Sequence, residues 1–404
     1  MKFQSPIIFL FFVCSLHTSC SQVQSSGKNF SDEAVYFSKT LAAKHPNLFK
    51  KVTQRDFDSL VTDLKTFADS LPPEKFLVEL CKINARIADE HTRIEPDYQS
   101  VLPVRFDWFD EGLVIVATDS IYKNCLGARV LSINNHPAEE AIRRFSFLLK
   151  NDNASFQKYW IASYFNKPVF LKGLDLIIDD RMVSYKLLTP QGDTLTQIIR
   201  ALATGQPIVK VVSAPMKSLL PYKKDNSYWY EFDSATNILY FNYAKCQVDE
   251  NLPFDRLNDQ LFEEIKLKNP AKLIVDLRFN GGGNSAVLNP FLKKIKKSYL
   301  NQNGKLFVII GRKTASSALM NALTLVKETN SITVGEPTGA NINHFGELKS
   351  FKLSYAGFTI YYSTRFWENW AGHNGALMPD VPVTHSLANF LNSNDEALDY
   401  IQRQ

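Results

Sequence analysis

From Asp32 to about Glu90, apolar residues return every three or four positions, in "AVYFSKTLAAKHPNLF", "DFDSLVTDLKTFADSL" and "PEKFLVELCKINARIAD". That spacing gives each segment one apolar face, and Pro46, Pro72 and Pro73 punctuate the run, so it predicts three helices in a small helical domain over residues 32–98. From Val101 to about Val212 the pattern shortens to alternating runs between turn residues: "LVIVATDS", "ARVLSINNHP", "VFLKGLDLIIDD" and "RMVSYKLLTPQGD". These read as strands and predict a mostly β segment over residues 99–224. From Asp225 onward, "ILYFNYAKC", "KLIVDLRF", "KLFVIIG", "ITVGEP", "FKLSY" and "FTIYYST" are interleaved with the helix-like "FDRLNDQLFEEIKL", "AVLNPFLKKIKKSYL" and "SSALMNALTLVKE". Apolar strands followed by helices imply a sheet covered on both faces, hence an α/β domain over residues 225–404. No internal repeat interrupts this order.

Two shorter stretches add to the picture. "LGARVLSINNHPAEEAIRRF" reads as strand, tight turn and helix, and resembles the end of a PDZ domain. The first twenty residues, "MKFQSPIIFLFFVCSLHTSC", carry one lysine, an apolar stretch from Ile7 to Cys14, and small polar residues ending at Cys20. That stretch is too short to span a bilayer, so residues 1–20 are expected to be an export signal, with the polar residues 21–31 as a tether. Cys20 resembles a lipoprotein acylation site, although His17 stands where a lipobox usually has an aliphatic residue and Leu16 is one place off, which leaves simple secretion open. The expected location is the cell envelope or periplasm, with membrane contact through an N-terminal lipid anchor.

The chain has 404 residues, 45% of them hydrophobic, which suffices for two or three cores. With 46 basic and 41 acidic residues the net charge is +5, and no dense Lys/Arg block marks nucleic-acid binding; "FLKKIKK" has the spacing of a solvated helix face. The five cysteines include Cys14 and Cys20 in the leader, while Cys81, Cys125 and Cys246 are scattered and read as buried thiols, giving neither a disulfide framework nor a metal pattern.

Two strand-to-helix loops carry the candidate chemistry. In "LIVDLRFNGGGNSAVL" three glycines, Gly281, Gly282 and Gly283, follow a buried strand, and such loops let backbone N–H groups approach a ligand or a developing anion. No Gly-Lys-Ser/Thr follows, which removes a Walker A reading. "GGGNSA" satisfies the short dinucleotide pattern, but the next strand ends in "GRK" without the acidic residue that pattern needs, so a dinucleotide-binding oxidoreductase is a minor alternative. In "GRKTASSALMNALTLVKE", Ser316 and Ser317 stand at the mouth of a helix. Either could be an N-cap, although no capping box supports it; the same place offers N–H groups and a positive dipole end to an oxyanion.

"LIVDLRFNGGG", "GRKTASSA", "VGEPTG" and "MPDVPV", in that order over residues 273–383, resemble the S41 peptidase family, which includes the C-terminal processing peptidases and the tricorn core protease. The resemblance implies a ClpP/crotonase-like α/β catalytic domain, behind the helical domain and the PDZ-like segment, and a serine peptidase acting on peptides or proteins without metal or organic cofactor. In that family the nucleophile stands nineteen residues before the glycine of the G-E-P-T motif, and Gly335 minus nineteen is Ser316. Ser317 would then donate a backbone N–H to the oxyanion hole, with Gly282 or Gly283 as the other donor.

The processing peptidases place a lysine base six residues past that glycine, where this chain has Asn341, a neutral amide that cannot accept a proton. "ARIADEHTRIEP" resembles the D-x-H-T motif of the tricorn-like branch, which implies His91 as the general base. Of the seven histidines, His344 is the rival, since it follows Asn341 closely. The family's third triad member, a glutamate that fixes the histidine, is matched by Glu368, although its register is off and the strictly aligned position is His373. Asp276 with Arg278 is expected to form a buried ion pair, and Asp380 a loop contact. The absence of the lysine keeps a second reading: a catalytically inactive relative that binds peptides or other ligands.

Overall fold

The computed structural model describes residues 27–207, 210–212 and 219–404; the expected export signal, Cys20 and most of the expected tether lie outside them. Three helices open the described chain, Phe30–Lys44, Gln54–Phe67 and Pro73–Ala85. The side chains of Asn29 and Thr53 accept hydrogen bonds from Asp32 N and Asp56 N and so cap the first two, and Pro73 starts the third, where its missing N–H costs nothing. Their apolar faces, including Phe37, Phe57 and Phe76, pack onto a three-stranded sheet in the order Arg93–Pro96, Phe358–Trp367, His344–Leu353.

That sheet corrects one expectation. "FKLSY" and "FTIYYST" form an antiparallel hairpin outside the parallel sheet of the α/β domain. Along the hairpin, Phe351, Leu353, Phe358, Ile360 and Tyr362 are buried, while Lys352 and Glu347 between and before them are exposed. A strand with one apolar face suits a sheet covered by helices on one side, not a sheet covered on both.

The middle segment is an antiparallel sheet built on Val104–Phe109, Gly112–Asp119, Arg129–Ile133, Met182–Leu188 and Thr194–Arg200, with the helix Ala138–Ser146 after the third strand. Its core continues into that of the first three helices through Phe106, Phe165 and Tyr185. "VFLKGLDLIIDD" departs from the expected strand. Pro168 opens a short helix, Pro168–Gly173, and Gly173 lies so close to the carbonyl of Glu74 in the third helix that any side chain would collide with it.

The last third holds a six-stranded sheet in the order Tyr228–Asp233, Ile238–Tyr243, Lys272–Asp276, Leu306–Ile310, Ile332–Gly335, Val381–Pro382. The first pair is antiparallel and every later pair parallel. Side chains alternate across it: Leu239, Phe241, Leu273, Val275, Leu306 and Val308 meet the helices Phe254–Lys268, Asn289–Ile295 and Ser316–Glu328, whereas Tyr240, Ile274, Phe307 and Ile309 meet the final helix Glu396–Arg403. Both faces are covered, as apolar strands require. Among the described residues, no helix is long and apolar enough to cross a membrane.

Candidate active site

The strand Leu306–Ile310 leaves the sheet at its carboxyl end and turns into the helix Ser316–Glu328. Thr314 drives the turn. Fully buried, it donates its hydroxyl to Leu277 O at 2.9 Å and accepts Gly311 N at 3.0 Å, which ties this loop to the neighbouring strand end. Ala315 is extended, at φ −148°, and donates its N–H to Asn280 O. Ser316 then sits at φ +49°, in the left-handed region that a residue with a Cβ seldom adopts. Such a conformation persists only where the surroundings enforce it, and it turns the side chain out of the strand-to-helix corner. Ser316 is half-buried and begins a helix whose positive dipole end lies beside its hydroxyl.

The glycine loop presses directly on this corner. A methyl group on Gly282 would lie 2.8 Å from Ser316 Cβ and 3.1 Å from both Ala315 O and Ser317 N, so only glycine fits. Ser317 is buried and donates its hydroxyl to Gly283 O at 2.6 Å, bracing one loop against the other. Asn280 holds the glycine loop from below, donating Nδ2 to Tyr243 O and accepting Gly282 N–H at 2.9 Å through Oδ1. That last bond settles which N–H groups are left for an anion. Of the two glycines considered, Gly282 has its N–H committed to Asn280, whereas Gly283 N–H and Ser317 N–H have no acceptor among the described residues. We expect Gly282→Ala to fold but to displace Ser316, lowering its acylation rate by about 100-fold, as sub-ångström to ångström misplacement does. Stopped-time labelling with a fluorophosphonate measures this, and an unchanged rate would contradict the close packing.

His91 comes from the opposite end of the chain, on the loop after the third helix, and Asp89 holds that loop. Asp89 Oδ1 accepts His91 N–H at 2.9 Å, and Oδ2 takes Thr92 Oγ1 at 2.5 Å, Ser363 Oγ at 2.7 Å and His45 Nε2 at 3.2 Å. The His91 ring stacks on His344 with centroids 5.7 Å apart, and its Nδ1 is buried with no hydrogen-bond partner. Burial lowers the imidazole pKa; Glu90 and Asp89 oppose this, His344 and Arg93 add to it, and the net shift is downward from 6.5. At neutral pH the ring is therefore uncharged and able to accept a proton. His344 is itself buried and donates Nδ1–H to Asn341 O at 2.9 Å, which leaves its Nε2 as an acceptor.

The stretch from Thr338 to His344 links the two ends. On one side Ala340 N bonds Thr314 O in the loop before Ser316; on the other Asn341 N bonds Glu90 Oε1, next to His91. The structure thus brings Ser316, Ser317, Gly282 and Gly283 into one corner and joins His91 and His344 to it through this stretch. It does not bring in Glu368. The strand ends at Trp367, which pairs with His344; Glu368 follows it, exposed, and its charge acts on Lys50, which lies over the Phe366 ring. The carboxylates acting on His91 are Glu90 and Asp89.

Asp276 and Arg278 form a buried ion pair at 2.9 Å, extended to Asp395 at 2.8 Å, and Asp380 accepts Thr333 N and Oγ1. A cavity of about 800 Å³ opens at the carboxyl ends of the parallel strands, bordered by Phe279, Gly281, Gly282 and Lys313. It touches both loops, and neither Ser316 nor His91 lines it. Among the described residues no group of His, Cys, Asp and Glu side chains could hold a metal ion. Asp89, Asn280 and Thr314 are the residues that residue-by-residue reading passed over, although each lies inside a quoted motif: "DEHT", "RFNGGG" and "KTASSA".

No family model matches the chain, and no curated protein matches it significantly in sequence. In three dimensions it overlays mature CPAF complexed with lactacystin at a TM-score of 0.66, with 11% identical residues over 93% of this chain and 97% of that one. A serine-to-alanine mutant of CPAF overlays at 0.67, with 10% identity over 93% and 96%. The photosystem II D1 C-terminal processing protease matches more loosely, at 0.43 with 14% identity over 93% and 97%, too loosely to carry an argument. At these identities the likeness is one of architecture: the chain has the fold of mature CPAF.

Proposed function

We propose that this chain is an exported serine peptidase, lipid-anchored through Cys20, which hydrolyses peptide bonds in peptide or protein substrates through an acyl-enzyme. Ser316 Oγ attacks the scissile carbonyl while the neutral His91 imidazole takes its proton; the carbonyl oxygen becomes an oxyanion, stabilised by Ser317 N–H and Gly283 N–H. His91 returns the proton to the leaving amine, and water, deprotonated by the same ring, attacks the ester to release the second product.

One observation carries the reading. Ser316 is a non-glycine residue at φ +49° on a strand-to-helix corner, and the N–H groups on either side of it, Ser317 and Gly283, have no acceptor among the described residues. A buried N–H such as that of Ser317 is ordinarily satisfied; left free beside a strained serine, with the exposed Gly283 N–H in the facing loop, it suits an anion that forms there. The CPAF overlay supports it, since a complex with lactacystin was obtained on that fold. The test is to incubate the full chain with a fluorophosphonate and map the adduct by peptide mass spectrometry. Modification of the peptide bearing Ser316 is expected; a chain unmodified across pH 5 to 9 would leave the ligand-binding reading in its place.

A further inference from the structure

Asn341 occupies the place of the missing lysine, yet a lysine reaches the same cluster from elsewhere. Lys150, in the turn after the helix Ala138–Ser146, is buried, with its ammonium 2.8 Å from Glu90 Oε2 and 3.0 Å from Asp152 Oδ1. Each carboxylate uses its other oxygen on Asn341: Glu90 Oε1 accepts Asn341 N at 3.2 Å, and Asp152 Oδ2 accepts Asn341 Nδ2 at 3.0 Å. Asn341 Oδ1 accepts Asn153 Nδ2 at 3.0 Å, and Asn341 O accepts His344 Nδ1. All four polar groups of Asn341 are thereby occupied, and Glu90 is the residue next to His91.

The side chains of Lys150 and Glu90 are 2% and 6% exposed. A buried ion pair is an inefficient way to stabilise a fold, because desolvation offsets most of its attraction; apolar side chains of the same size often do as well. Its directional bonds, in contrast, fix the relative positions of whatever they join. Here they join three stretches far apart in sequence: the His91 loop, the turn at residues 150–153, and the stretch from Thr338 to His344 that is bonded to the nucleophile loop.

We infer that Lys150 is a positioning residue for the base: through Glu90, Asp152 and Asn341 it holds the His91 loop against the stretch that supports Ser316, and it neutralises the carboxylate beside His91. This rests on the proposed role of His91. Lys150 is not itself a base. Burial lowers its pKa, but Glu90 and Asp152 more than offset that and the net shift is upward, so it stays an ammonium ion. The titratable and charged groups facing His91 are Glu90, Asp89, His344 and Arg93, with Lys150 and Asp152 behind Glu90. Removing the ammonium leaves the Glu90 charge uncompensated and favours the imidazolium; removing the Glu90 charge does the reverse.

The experiment measures the fluorophosphonate labelling rate of the full chain against pH for wild type, Lys150→Met, Glu90→Gln, Lys150→Arg and the double variant Lys150→Met/Glu90→Gln, with folding checked by circular dichroism. The acid midpoint is expected to rise by about one unit in Lys150→Met and to fall in Glu90→Gln. Lys150→Arg should keep the wild-type midpoint. The double variant leaves no unpaired buried charge from this pair, so it carries the test if Lys150→Met does not fold, and its midpoint should fall as in Glu90→Gln. Midpoints unchanged in Glu90→Gln and the double variant overturn the inference while leaving His91 as base. A labelling rate unchanged in His91→Ala overturns the base assignment, and this inference with it.

Discussion

Ser316→Ala is expected to abolish fluorophosphonate labelling and to lower peptide hydrolysis by about 10⁴-fold or more, while Ser317→Ala costs only about fivefold. The contrast follows from what each serine does. Ser316 is half-buried, and its Oγ makes no hydrogen bond among the described residues, as suits a group kept available for attack. Ser317 spends its hydroxyl on Gly283 O at 2.6 Å, and its proposed contribution is its backbone N–H, which alanine keeps. Losing one brace between the loops costs about 1 kcal/mol, or a factor of a few in rate if the corner loosens. The histidines separate in the same assay: His91→Ala should slow labelling by about 10²–10⁴-fold, and His344→Ala by less, through its packing on the His91 ring. A Ser317→Ala chain as inert as Ser316→Ala, or a His344→Ala chain slower than His91→Ala, would reverse those assignments.

The strand-to-helix corner at Ser316 was legible because it is local. Apolar "KLFVII", a turn and then helix-periodic "SSALMNALTLVKE" determine a strand-to-helix corner within twenty residues or so, and the family resemblance, through the spacing to "GEPT", implies one serine. What escaped depends on residues that meet only in three dimensions. Whether Gly282 can donate its N–H turns on Asn280 folding back to take it. Whether Glu368 can face His91 turns on where one hairpin strand ends, and that strand stops one residue before it. The pairing of that hairpin with Arg93–Pro96 is likewise long-range, and local periodicity could not distinguish it from another strand of the parallel sheet. Lys150 had no motif at all, because its partners Glu90 and Asn341 lie in separate stretches of the chain.

Asp89→Ala carries the largest expected change in stability, a loss of about 3–5 kcal/mol at neutral pH. The carboxylate is buried and takes four donors: His45 Nε2 from the end of the first helix, Thr92 Oγ1 and His91 N from its own loop, and Ser363 Oγ from the hairpin. Alanine would leave all four without an acceptor in a place water reaches poorly, and Asp89→Asn would be only a partial repair, since its amide offers one oxygen where the carboxylate offers two. Burial raises the Asp89 pKa, but the bonds from His45, Thr92 and Ser363 and the charge interaction with His91 more than offset it, so the carboxyl lies well below its ordinary 3.8. A folded-state pKa depressed in this way contributes stability that is fully present above the unfolded value and is lost as pH falls from about 4 toward the folded one. The difference in unfolding free energy between wild type and Asp89→Ala, measured by urea titration, should therefore be flat from pH 7 to about 5 and shrink below pH 4. A difference independent of pH would mean that Asp89 acts by filling space, and that the first part of "DEHT" does not hold the His91 loop through its charge.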